Sequence, residues 1–206
     1  MVGATLIPTL IPTVTFVGRQ NSGKTTLLVK LIAELAARGV RVGTVKHHSH
    51  AGFEFDVEGK DSWRHRQAGS LYTVIAAPDQ MASVQTLDPN AEISLQQILE
   101  QMTAAGDTGG AKLDVILVEG YRRAGLPAIE LFRAANSNDI DRALDDKNNL
   151  GRIIAVVTDI PRIAEEATIF GSGIPVFAFD DIDKLADFVL AFAADFAPEY
   201  RSGNRS

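Results

Sequence analysis

With 206 residues, 46 % of them hydrophobic and 22 % charged, the chain is long enough for one substantial core and too apolar for a disordered segment. A net charge of −6 argues against a nonspecific nucleic-acid binder, and the lack of cysteine excludes disulfides, thiolate zinc sites and cysteine nucleophiles. Leu6–Val17 is apolar but broken by Pro8 and Pro12, and no run reaches membrane-spanning length, so a soluble, cytoplasmic protein is expected.

The first element is Thr13-Val14-Thr15-Phe16-Val17, whose β-branched and aromatic residues predict a buried strand. It runs into Gly18-Arg19-Gln20-Asn21-Ser22-Gly23-Lys24-Thr25, a fit to G-x-x-x-x-G-K-[ST], the phosphate-binding loop. Leu27, Leu28, Leu31, Ile32 and Leu35 then recur at helical spacing, and Gly39 supplies the stop to a helix over 25–38. Strand, glycine loop and helix are the context this motif requires. Gly18 and Gly23 let the backbone curl so that N–H groups around Gln20, Asn21 and Ser22 point at phosphate oxygens, and the helix start adds its dipole. Lys24 is placed to reach β- and γ-phosphates and Thr25 to ligate Mg²⁺ through its hydroxyl, with Thr26 completing the predicted nucleotide-binding set.

Val40–Lys46 completes a strand-helix-strand unit, whose strands should run parallel through a right-handed crossover. After His47-His48-Ser49-His50 and Phe53–Asp56, Gly59-Lys60-Asp61-Ser62 leads into a short helix through Ala68, closed by Gly69. Leu71–Ala77 predicts a strand, Pro78-Asp79 a turn and Met81–Leu87 a hairpin partner. A helix is expected over Ser94–Met102, and a loop over Ala104–Ala111, where Gly106, Gly109 and Gly110 fall. Leu113–Val118 is a strongly buried strand ending at Glu119-Gly120. Further strands are predicted at Ala128–Arg133, Ile153–Val157 and Val176–Phe179, with a polar segment at Asn136–Asn149. An amphipathic helix over 182–193 precedes a tail, 201–206, expected to be flexible. This alternation indicates a single α/β domain over 1–206, with its core at about 13–193 and a mostly parallel sheet flanked by helices.

A phosphate loop needs a second acidic group, at the end of a neighbouring buried strand, to hold Mg²⁺ or its water shell. Glu119 fits, as a longer-reaching stand-in for the usual Asp. Asp56 and Asp61 lie beyond the second strand, at the carboxyl edge where open α/β sheets bind ligands. Asp56 is a candidate metal ligand, and both join Lys24 as candidate catalytic groups by orienting water. For Asp61 helix capping is the equal alternative. His47, His48 and His50 invite a zinc reading, but adjacent residues on an extended backbone face opposite ways and no fourth ligand is spaced to join them. Thr158-Asp159 ends a buried strand, where an Asp can accept from the N1 and N2 hydrogens of guanine. Arg122 and Arg123 are candidates to hold a partner or an anionic ligand, or else solvated surface charges.

Taken together, Gly18–Thr26, Val45-Lys46-His47-His48-x-His50, Asp56-x-x-Gly59-Lys60-Asp61-Ser62-x-Arg64, Leu117–Tyr121 and Thr158-Asp159 resemble the MobB family, GTP-binding adapters of molybdopterin-guanine dinucleotide biosynthesis. The likeness runs from about Thr13 to Phe192. It implies the three-layer P-loop NTPase fold and binding of GTP and Mg²⁺ with weak hydrolysis. It also implies a homodimer that works with a molybdopterin guanylyltransferase of the MobA type and with molybdopterin. Exposed edge strands such as Met81–Leu87 or Ala128–Arg133 are expected at the dimer interface. Two other readings stay open: an ATP-dependent ligase or kinase of the dethiobiotin-synthetase type, and a nucleotide-gated chaperone for metal or cofactor insertion that uses the histidine loop.

Overall fold

A computed structural model describes residues 10–48, 52–88, 91, 93–107, 109–136, 153–165 and 173–196. They fall into two compact units, one of Met1–His47 with Leu95–Ser206, the other His48–Ser94.

In the larger unit six parallel strands lie in the order β2-β5-β1-β6-β7-β8. They are β1 (Thr13–Val17), β2 (Val42–Lys46), β5 (Val115–Glu119), β6 (Ala128–Phe132), β7 (Ile153–Thr158) and β8 (Val176–Phe177). β1 and β6 are buried along their whole length, as strands covered on both faces must be. Helices α1 (Lys24–Ala37) and α5 (Ile182–Asp195) cover one face, packing Leu27, Leu31, Leu35, Leu185 and Val189 onto Val14, Phe16, Ile129, Leu131 and Val157. Each fully buried leucine of this layer contributes about 1.5–3 kcal/mol. On the other face α3 (Leu95–Asp107) sets Leu95 and Leu99 against Ile116 and Val118, and the short α4 (Pro161–Glu165) sets Ile163 against Phe132 and Val156. Gly43 in β2 lies under α3. A Cβ there would meet the side-chain ends of Leu113 (Cδ1, 2.6 Å) and Met102 (Cε, 2.7 Å), so these two side chains fill the space that glycine leaves.

The smaller unit holds α2 (Asp61–Gln67) and an antiparallel hairpin of β3 (Tyr72–Ala76) and β4 (Met81–Gln85). Its two faces differ. Thr73, Ile75, Ala82 and Val84 line a small pocket with Phe55, Asp56 and Ser62, with Ile75 still exposed, and Tyr72, Val74 and Met81 on the opposite face are exposed as well.

Three expectations change. Ala128–Arg133 is no edge: β6 is bonded to β1 on one side and β7 on the other, and Ala128, Ile129 and Leu131 are core residues. The helix expected over Ser94–Met102 continues to Asp107, because small Ala104 and Ala105 extend it into the stretch read as loop. Asp61 does not cap α2; Lys60 stands at the N-cap and makes no side-chain capping bond, while Asp61 puts a negative charge in the first turn. The expectations for residues 201–206, and for 137–149 within Asn136–Asn149, fall outside the described residues.

Candidate nucleotide site

β1 is a central strand, so its carboxyl end opens at the edge where parallel sheets expose main-chain groups. The chain turns there through Gly18–Thr25. Asn21 (φ 62°) and Gly23 (φ 83°) take left-handed conformations, which asparagine tolerates and glycine adopts without strain. At Gly18 a Cβ would meet the Leu131 carbonyl and Ser22 Oγ, each at 2.8 Å, so the loop is pressed against β6. Gly23 caps α1 without a side-chain hydrogen bond, and the first turn carries no acidic residue. The N-terminal amides of α1 thus have no capping side chain, a setting that suits an anion.

Lys24 folds across this loop: its ammonium donates to the Gly18 carbonyl (2.9 Å), the Arg19 carbonyl and Ser22 Oγ (3.4 Å). Thr25 Oγ1 donates to both carboxylate oxygens of Glu119, at 2.9 and 3.1 Å. Lys46 Nζ stands 3.7 Å from Glu119 Oε2, and Glu119 is only 15 % exposed. Gln20, Asn21, Gly23, Lys24, Thr25, Thr26, Lys46 and Glu119 line one cavity of about 480 Å³. A hydroxyl and a carboxylate converging at a phosphate loop form the oxygen-donor set that suits a hard divalent cation.

The motifs after β2 and β5 meet because those strands are neighbours. The His47 amide donates to the Glu119 carbonyl (2.9 Å), and the His47 ring packs on Tyr121 with centroids 4.7 Å apart. A Cβ on Gly120 (φ 100°) would lie 2.9 Å from that of His47, and Tyr121 is left-handed at φ 55°, a costly conformation held by this packing. Arg122 is not left on the surface. Its guanidinium donates to Glu130 Oε1 at 2.6 Å, and Glu130 is fully buried in β6. Arg123 is exposed.

Asp159, just past β7, accepts from the Ala134 amide (2.6 Å) and faces Arg133 Nε at 3.2 Å. The Arg133 guanidinium lies over the Phe179 ring, 4.2 Å from its centroid, and its Nη1 would be 3.1 Å from a Cβ on Gly23. Phe179 and Arg133 therefore tie Asp159 to the phosphate loop. The sequence reading missed both, although Arg133 obeys the rule that singled out Glu119: a charged residue where a buried parallel strand ends.

Asp56 and Asp61 belong to the smaller unit. The Asp56 carboxylate accepts from the Val57 amide (2.9 Å) and the Ser62 hydroxyl (3.0 Å), with Arg66 at 3.9 Å, so it braces the turn into α2. Asp61 is exposed at the start of that helix. His48 packs on Phe53 (5.9 Å), not on the partner of His47, and His50 lies outside the described residues. Among the described residues no three His, Asp or Glu side chains gather around a metal position.

The family profile described as molybdopterin guanine dinucleotide synthesis protein B matches residues 13–159. The chain belongs to the MobB family. It is 35 % identical over 182 residues to the molybdopterin-guanine dinucleotide biosynthesis adapter protein of Escherichia coli, covering 88 % of this chain and 93 % of that one. The adapter of the same name from Haemophilus influenzae is 35 % identical over 179 residues, 87 % of this chain and 88 % of its own. Among solved structures, Bacillus subtilis MobB superposes with a TM-score of 0.65 at 25 % identity over 88 % of this chain and 98 % of that one. The MobB match spans β1 to Asp159, so it takes in the phosphate loop, Glu119, Arg133 and Asp159. No described helix is long and apolar enough to cross a membrane.

Proposed function

We propose that this MobB-family chain binds GTP with Mg²⁺, hydrolyses it slowly, and acts in the cytoplasm as the dimeric adapter of the guanylyltransferase that joins GMP to molybdopterin. The observation that carries the nucleotide reading is the convergence of the uncapped α1 start, Lys24, Thr25 and Glu119 on one cavity of about 480 Å³. In this reading main-chain amides of Gln20–Thr26 bind the phosphates, and Lys24 exchanges its carbonyl partners for phosphate oxygens. Thr25 and Glu119 would hold Mg²⁺, which neutralises charge on the β- and γ-phosphate oxygens. Ligation by Asp56 would require it to release Ser62 and the Val57 amide.

Asp159 is the proposed guanine reader, since a carboxylate keeps acceptor capacity after one bond to each oxygen. Among the described residues that line this cavity none is a strong general base, as Glu119 is committed to the Thr25 hydroxyl; this favours a slow hydrolase over a dedicated ligase or kinase. The adapter role rests on the family, whose E. coli and H. influenzae members carry that name. Calorimetry with GTP and ATP, with and without Mg²⁺, tests the site, and the reading predicts Mg²⁺-dependent binding with GTP preferred. Addition of the protein to a guanylyltransferase assay tests the adapter role: a yield of molybdopterin-guanine dinucleotide that does not change would refute it.

A further inference from the structure

Arg133 occupies an unusual junction. One edge of its guanidinium faces the Asp159 carboxylate (Nε to Oδ2, 3.2 Å), its plane lies 4.2 Å from the Phe179 ring centroid, and its Nη1 abuts Gly23 of the phosphate loop. Arg133 and Asp159 are both 39 % exposed, so the pair stands at the surface of the site and not in the core. Exposed ion pairs of this kind contribute little to stability, about 0–1 kcal/mol, which leaves their geometry to be explained.

The arrangement does restrict a carboxylate. The second oxygen of Asp159 accepts from the Ala134 amide at 2.6 Å, so both oxygens are held, one by the main chain after β6 and one by a planar side chain. The planar side chain stacks on Phe179, and both groups border Gly23, where an added Cβ would lie 3.1 Å from Arg133 Nη1 and 3.4 Å from Phe179 Cε1. The first distance is tighter than ordinary contact, so residue 23 and Arg133 are packed together. Guanine presents two parallel donors, N1–H and the N2 amino group, and reading both demands a carboxylate locked in one plane. Adenine presents an acceptor at N1, which an ionised carboxylate repels.

We propose that Arg133 sets base selectivity by orienting the Asp159 carboxylate relative to the phosphate loop. It is a positioning residue, acting through Asp159, and this rests on the guanine reading given above. Phe179 supplies the rigid surface that holds the guanidinium plane. Lysine could supply charge at position 133, but not a planar fork that stacks on Phe179 while its Nε faces the acid.

The test is calorimetry of the full chain with Mg²⁺ and GTP, ATP or tripolyphosphate. Arg133→Met keeps the apolar stem over Phe179 and should weaken GTP binding about tenfold, the loss of one oriented hydrogen-bonding pair. ATP and tripolyphosphate should stay within about twofold, because phosphate capture is untouched. Arg133→Lys should stay closer to Arg133→Met than to wild type in its GTP-to-ATP ratio. Equal losses for all three ligands would make Arg133 a phosphate-charge or folding residue and overturn the proposal, as would an unchanged GTP-to-ATP ratio or its full rescue by lysine. Asp159→Asn separates the two layers. If it leaves the ratio unchanged, guanine reading by Asp159 is itself wrong and the role of Arg133 goes with it. If it collapses the ratio while Arg133→Met does not, only the role of Arg133 is wrong.

Discussion

Lys24 and Glu119 do opposite work on the same cavity, and their substitutions should be separable. Lys24 is held by main-chain carbonyls of its own loop, outside any hydrophobic cluster, so Lys24→Ala removes charge and little packing. Triphosphate binding should fall about 100-fold, the order of 2–3 kcal/mol expected for charge-assisted contacts, while the melting temperature stays near wild type. Wild-type affinity in that variant would show that the loop does not grip phosphate. Glu119→Gln keeps shape and one acceptor beside Thr25 but loses the negative charge. Its signature should be a Mg²⁺ titration: affinity of the metal-free nucleotide is kept, and the gain conferred by Mg²⁺ drops about tenfold. Lys24 stood out in the sequence because the phosphate loop is a local pattern, and Glu119 because it ends a run of buried apolar residues. Their partners did not, since the Thr25–Glu119 contact joins residues 94 apart and the Arg133–Asp159 contact depends on β6 and β7 being neighbours.

Element order and type were largely legible for a related reason: β-branched runs and helical spacing are short-range signals, the first clear in β1, β5 and β7 and the second in α1. Sheet position was not. Ala128–Phe132 contains Glu130, whose charge resembles the polar face of an edge strand, until Arg122 from the preceding loop is found to neutralise it inside the sheet. Where α3 ends was hidden because alanine propensity outweighs Gly106 there. The start of α5 gives a prediction at this scale. Asp181 accepts from Lys184 (2.7 Å) and from the Ala178 amide (2.9 Å), and these bonds, Lys184 first, hold its carboxyl below the usual carboxylate range. Folding lowers this pKa, so the stabilisation is present above the usual carboxylate value of about 4 and is lost as pH falls through the lower native value. Asp181→Asn should melt below wild type at neutral pH, and the two curves should converge on acidification. A gap that widened in acid would mean that the carboxylate is not the stabilising form.

At the scale of the whole molecule, the smaller unit carries exposed apolar side chains on its hairpin. An isolated two-stranded hairpin is marginal in water, and on the face that lines the small pocket Thr73, Ala82 and Val84 are half-buried while Ile75 stays exposed. The other face exposes Tyr72 at 57 %, Val74 at 47 % and Met81 at 73 %. Exposed apolar side chains gathered on one face suit an interface, and the proposed homodimer offers an occupant of matching chemistry. A second copy brings the same hairpin, so a two-fold axis would bury apolar side chain on apolar side chain from both protomers. With β6 inside the main sheet, the hairpin is what remains of the expected edge-strand interface. Replacing Val74 and Met81 together by lysine sets like charges on both copies of that surface and leaves Lys24, Thr25 and Glu119 as they are. Sedimentation should then give twice the chain mass for the wild type at micromolar concentration and the single-chain mass for Val74→Lys/Met81→Lys, with GTP binding kept. A wild type that sediments as one chain, or a double variant that stays paired, would place the interface elsewhere.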